Sequence, residues 1–114
     1  SPAEDQQEYR LNIAEAENYC YETVKLGHFP LAPHTILTKY LDDRIPEERA
    51  TVLRLSVDLL RTCDELWVFG ERISDGMKAE IKLAAQFGLP IRWFKDCIPA
   101  KDGRADGLIN YVMG

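Results

Sequence analysis

The sequence predicts an α/β domain built on a parallel sheet, and three observations predict it. Leu66-Trp67-Val68-Phe69 is an unbroken apolar run, the mark of a strand covered on both faces. Segments with helical apolar spacing lie on either side of it. Two more short apolar runs, Phe29-Pro30-Leu31-Ala32 and Ile91-Arg92-Trp93-Phe94, alternate with those segments, as strands joined by crossover helices do.

The elements follow in order. Between Asp5 and Leu26 the residues Ile13, Ala16, Cys20 and Val24 recur at helical spacing, which predicts a helix near 7–26 stopped by Gly27. Phe29 to Ala32 reads as a strand, although Pro30 cannot donate to a ladder. Thr35 to Leu41 has room for a turn or two of helix, and Asp42-Asp43-Arg44 reads as a polar loop. Pro46-Glu47-Glu48 has the proline and acids of a helix start, predicting a helix over 46–62 that buries Val52, Leu53, Val57 and Leu60. Ser74 or Asp75 can cap a helix over 75–87, which Gly88 ends. Beyond Lys95 the chain is loop-rich, with a last apolar patch, Leu108-Ile109-Asn110-Tyr111-Val112.

Composition narrows the function classes. The chain has 114 residues, enough for one domain spanning 1–114 without disulfide or metal staples. Its net charge of −5 argues against a nucleic-acid polymer and against an anionic membrane surface as partner, though one phosphate can still find a small basic patch. Cys20, Cys63 and Cys97 are odd in number and widely spaced, so neither a disulfide framework nor a metal site is indicated, and no cofactor is called for. No run approaches the ~18 apolar residues of a membrane span, and a reducing cytoplasm is the expected compartment.

Ligands of parallel α/β sheets bind beyond the carboxyl ends of the strands. The loop from Gly70 to Ser74 and the pair Pro33-His34 are expected there. Glu80 sits about one and a half turns into the following helix, with Gly76, Met77 and Ala84 as neighbours at helical spacing. Such neighbours place its carboxylate at the edge of the buried face, where it can serve as nucleophile or base. The bland alternative is a surface glutamate paired with Lys78 or Lys82. Gly76 lets backbone approach a ligand, or is an ordinary glycine of a helix start. Ser74 and Asp75 can contact a sugar or merely cap the helix. His34 can hold a phosphate or base, or be satisfied by backbone. Asp42-Asp43, Arg44, Arg49 and Arg72 fit solvated surface charges as well as any site.

Three stretches resemble the nucleoside 2-deoxyribosyltransferase-like superfamily, in an uncharacterised bacterial and phage branch. They are Ala32-Pro33-His34, the strand Cys63 to Gly70, and the helix start Ile73-Ser74-Asp75-Gly76-Met77-Lys78-Ala79-Glu80-Ile81. The similarity covers roughly Ser1 to Phe94. It implies a flavodoxin-like three-layer fold with a five-stranded parallel sheet and a nucleoside or nucleotide site at the strand carboxyl ends. It places Glu80 on a glutamate that attacks the anomeric carbon and displaces the base, and Gly76 on the glycine of the same motif. Where relatives carry an acid six residues before that glutamate, this chain has Ser74, with Asp75 beside it. Asp64 matches an acid at the start of the preceding strand.

The expected catalytic residues are therefore Glu80, Asp75 and Asp64, and the expected substrate contacts Ser74, Gly76, Met77, His34, Pro33 and Gly70. The implied activity is a nucleoside or nucleotide N-glycosidase or deoxyribosyltransferase; the rival is a binding module that recognises a nucleotide without cleaving it. Because relatives complete their sites across subunits, and Trp67, Trp93, Phe94 and Tyr111 supply much aromatic surface, a homodimer or higher homo-oligomer is expected. In the family a central strand precedes the position of Ser1-Pro2. The expectation is an N-terminally incomplete domain in which 108–112 is a terminal helix or interface segment. The alternative, as in a circular permutation, is that this run fills the central slot and pairs with both Phe29-Ala32 and Leu66-Phe69.

Overall fold

The computed structural model describes residues 2–95 and 106–114, so Cys97 lies outside the described residues. Helix α1 (Pro2–Lys25) leads into strand β1 (Phe29–Leu31), helix α2 (Pro33–Ile36) and a single 3-10 turn at Leu37–Lys39. Then come α3 (Pro46–Leu60), β2 (Glu65–Phe69), α4 (Asp75–Gln86), β3 (Ile91–Phe94) and β4 (Ile109–Met113). The strands form one four-stranded sheet in the order β1-β4-β2-β3, and every pairing is parallel. Among the described residues there is thus one strand fewer than the resemblance implies.

The last strand decides the topology. Tyr111 pairs with Leu31 on one side and Leu66 on the other, so the C-terminal run lies inside the sheet between β1 and β2. The expectation that 108–112 is a terminal helix or interface segment is overturned, and the interior slot is filled by this chain's own tail. The physical reason is that β1 and β2 would otherwise face each other with unpaired ladders, which a buried parallel sheet cannot tolerate.

Period-2 alternation then separates two cores. Leu66, Val68, Tyr111 and Met113 point to the face covered by α3 and α4, where they meet Leu60, Cys63 and Ala84. Trp67, Phe69 and Val112 point to the opposite face, against Tyr19, Cys20 and Leu26 of the α1 segment. Two helical face assignments need correction. Val24 is exposed and Thr23 is buried in its place, its hydroxyl donating to the Tyr19 carbonyl at 2.9 Å. In α3, Leu53 is exposed, and Ser56 fills the face with Val52 and Leu60. Trp67 and Tyr111 are core residues and not free aromatic surface.

At the amino ends of the strands a polar network locks the register. Glu65 Oε1 accepts from Trp67 Nε1 at 3.0 Å and from Arg92 Nε at 3.2 Å. Fully buried Asn110 meets His28 Nδ1 at 3.0 Å through its amide nitrogen. Such groups are costly to bury unpaired, so a slip of β4 by one residue, which would turn Asn110 to the other face, is strongly disfavoured.

Helix α1 is much longer than the sheet is tall. Its 24 residues span about 36 Å at 1.5 Å each, whereas a five-residue strand covers roughly 17 Å. Its carboxyl end adjoins the amino end of β1, so its first half stands above the carboxyl ends of the strands and forms a wall there.

Candidate functional site

A crevice of about 540 Å³ opens above the carboxyl ends of β4 and β2. One wall comes from α1 (Asn12, Glu15, Ala16, Tyr19), the other from α3 and α4 (Arg49, Val52, Ser56, Met77, Glu80). The helices lie on opposite faces of the sheet, so the strand ends between them are left uncovered, as at the switch point of doubly wound folds. Gly70 makes the turn out of β2 with φ +84°, a conformation glycine adopts without strain. At the crevice floor Tyr19 stacks on Phe69, with centroids 4.5 Å apart and planes within 10°. A side chain at Gly114 would collide with the Tyr19 ring.

Glu80 is the chemical centre of the crevice. The Tyr111 hydroxyl donates to its Oε2 at 2.7 Å. Burial pushes the Glu80 carboxyl above the ordinary value, while the Tyr111 hydrogen bond and the Arg49 guanidinium pull it down. Burial, reinforced by the Glu80 charge, pushes the Tyr111 phenol far above its usual range, so it stays a donor. Ser56 of α3 lines the crevice as well. The pairing with Lys78 does not form: that ammonium lies 3.9 Å from Asp75. A half-buried carboxylate with a fixed donor on one oxygen can present its other oxygen to an electrophile.

Of the predicted site residues, Glu80, Ser74, Gly76, Met77, Gly70, Pro33 and His34 all line this crevice. Ser74 is also the N-cap of α4, its Oγ accepting from Met77 N at 3.2 Å. Gly76 sits where an added Cβ would come 3.4 Å from an Arg49 guanidinium nitrogen.

Asp64 and Asp75 are not among the residues that line this crevice. Asp64 precedes β2 and so stands at the amino ends of the strands, a strand length away from the crevice. There its Oδ2 accepts from Ile109 N at 2.7 Å, fixing the start of β4. Asp75 is the first residue of α4 with its side chain fully exposed, placed to favour the helix dipole rather than a ligand.

Tyr111 was missed because only the placement of β4 beside β2 brings it to Glu80. Asp43 and Arg49, set aside as surface charges, also line the crevice. Cys20 and Cys63 have thiols pushed up to about 11 by burial, which leaves them un-ionised core groups near neutral pH.

Sequence comparison places residues 1–94 in the family described as Domain of unknown function (DUF7768), and the chain belongs to that family. No curated protein and no solved structure matches it. Among the described residues no helix is long and apolar enough to cross a membrane.

Proposed function

We propose that the crevice binds a nucleoside or nucleotide and that Glu80 cleaves its N-glycosidic bond, by hydrolysis or by transfer to a second base. The observation that carries this reading is the Glu80 carboxylate, held by Tyr111 at 2.7 Å in a crevice of about 540 Å³. Breaking a sugar–base bond passes through an oxocarbenium-like state. A carboxylate stabilises that state by charge and can capture it covalently. The crevice walls carry charges of both signs, Glu15 and Glu80 against Arg49 and Arg72, which suits a compact polar ligand better than a polyanion.

The test is release of free base from a panel of nucleosides and nucleoside monophosphates, followed by chromatography. Glu80→Ala is expected to abolish release while preserving the far-ultraviolet dichroism and the melting transition. Full activity in that variant would remove Glu80 from the chemistry. A second reading, binding without cleavage, is favoured by the outward-facing Asp75 and the capped Ser74, which leave the expected acid out of the crevice. It predicts saturable binding of a panel member by calorimetry with no base released.

A further inference from the structure

We propose that His34, held by Asp43, gives the departing base its proton and takes one back from water. This assignment rests on the glycosidic cleavage proposed above. Glu80 supplies charge and a new bond, but a base expelled near neutral pH also needs a proton. The acid expected beside Ser74 is turned to solvent at Asp75. The Tyr111 hydroxyl is committed to Glu80, Glu15 accepts from Tyr19 at 2.8 Å, and guanidinium groups do not give up protons.

His34 is built differently. It follows buried Pro33 at the start of α2, directly beyond the carboxyl end of β1, and lines the crevice. Its Nδ1 lies 3.8 Å from Asp43 Oδ2, and the Asp43 side chain is only 9% exposed. Burial and the neighbouring Asp43 charge push the Tyr9 phenol up, and the Tyr9 ring stands edge-on to the imidazole at 6.4 Å. Arg44 covers that tyrosine ring at 4.7 Å and is clamped by Asp42 at 2.9 and 3.0 Å. The groups around His34 are therefore Asp43 and Tyr9, with Arg44 and Asp42 behind. The Asp43 carboxylate faces Nδ1 of the ring, which leaves Nε2 for the substrate.

The step balances. The electrons of the sugar C1′–N bond pass to the base, which takes the Nε2 proton, as a Glu80 oxygen bonds C1′. Water then bonds C1′, yielding a proton to His34 as the bond to Glu80 breaks. The sum is nucleoside plus water giving sugar plus free base.

The experiment compares leaving groups in the full chain. Natural ribo- and 2′-deoxyribonucleosides need the proton; the 4-nitrophenyl β-ribofuranoside and its 2-deoxy analogue do not, because nitrophenolate leaves unaided. His34→Gln is expected to lower kcat/KM on nucleosides by about 10²–10⁴-fold while changing kcat/KM on the nitrophenyl glycosides, which reports the leaving-group step and not the water step, by less than about threefold. Asp43→Asn removes the carboxylate that faces Nδ1, so it should lower kcat/KM on nucleosides while sparing the nitrophenyl glycosides. Equal losses on both substrate types, or no loss on either, overturn the proton-donor role even if Glu80→Ala is inactive. If the wild type releases neither base nor nitrophenolate, the cleavage reading itself falls and takes this role with it. Should His34→Gln fail to fold, Asp43→Asn decides: no loss on nucleosides, or equal losses on both substrate types, refutes the assignment.

Discussion

Burial makes the Glu80 carboxylate expensive to ionise, while Tyr111 and Arg49 favour ionisation, and the first effect is the larger. A carboxyl whose folded-state pKa is raised contributes stability below its ordinary value of 4.5 and loses it as pH rises through the raised value. Glu80→Gln keeps an acceptor for Tyr111 and removes the charge. The variant should therefore match the wild type in acid and exceed it in stability as pH rises above 4.5; urea midpoints across that range measure the difference. A gap that shrinks with pH would mean that the site favours the charge. Tyr111→Phe deletes a hydrogen bond to that carboxylate, a loss of about 1–3 kcal/mol. Because Tyr111 lowers the Glu80 pKa, its removal raises it, and the acid limb of the activity profile should move to higher pH. Glu80 was legible from helical spacing and motif, since both are local. Tyr111 was not, because its partner lies 31 positions away and meets it only through the sheet.

Helix α4 carries Glu80 to the crevice, and its start is fixed by Ser74. The hydroxyl accepts from Met77 N, replacing one of the hydrogen bonds that a helix start lacks. Ser74→Ala should cost about 1 kcal/mol in thermal or urea unfolding, and Ser74→Asp should restore most of it. A neutral Ser74→Ala would show that the cap is idle and that the serine serves the ligand alone. At this scale the sequence was informative: Pro46 and its acids begin α3, and β3 lies at its predicted residues. What failed was face assignment. The register 13, 16, 20 continues at either 23 or 24, and hydrophobicity chose Val24. The short gap to His28 and β1 turns Thr23 inward, where its hydroxyl is satisfied by the helix backbone.

The order of strands is the least local property of the molecule. Apolar runs showed where strands lie but not which are neighbours, so the sequence favoured a terminal helix or interface segment for a tail that is in fact an inner strand. Self-association is a further proposal at this scale. Trp93 on edge strand β3 is 57% exposed and gives it a concrete apolar contact. A monomer by light scattering at micromolar concentration would refute it. The placement of β4 leads to a sharper expectation. Tyr111, Val112 and Met113 are buried on alternating faces, and at ~1.5–3 kcal/mol each their burial contributes about 4.5–9 kcal/mol. That is comparable with the ~5–15 kcal/mol by which whole domains are stable. Removing 107–114 also strips the ladder partners of both β1 and β2 and deletes the donor to Glu80. The shortened chain should lose its cooperative melting transition. A synthetic peptide covering 106–114, added in excess, should restore the transition in proportion to its concentration, by mass action. If the shortened chain still melts cooperatively, with slow amide exchange at Glu65 to Phe69, β4 is a dispensable addition and the sheet centre lies elsewhere.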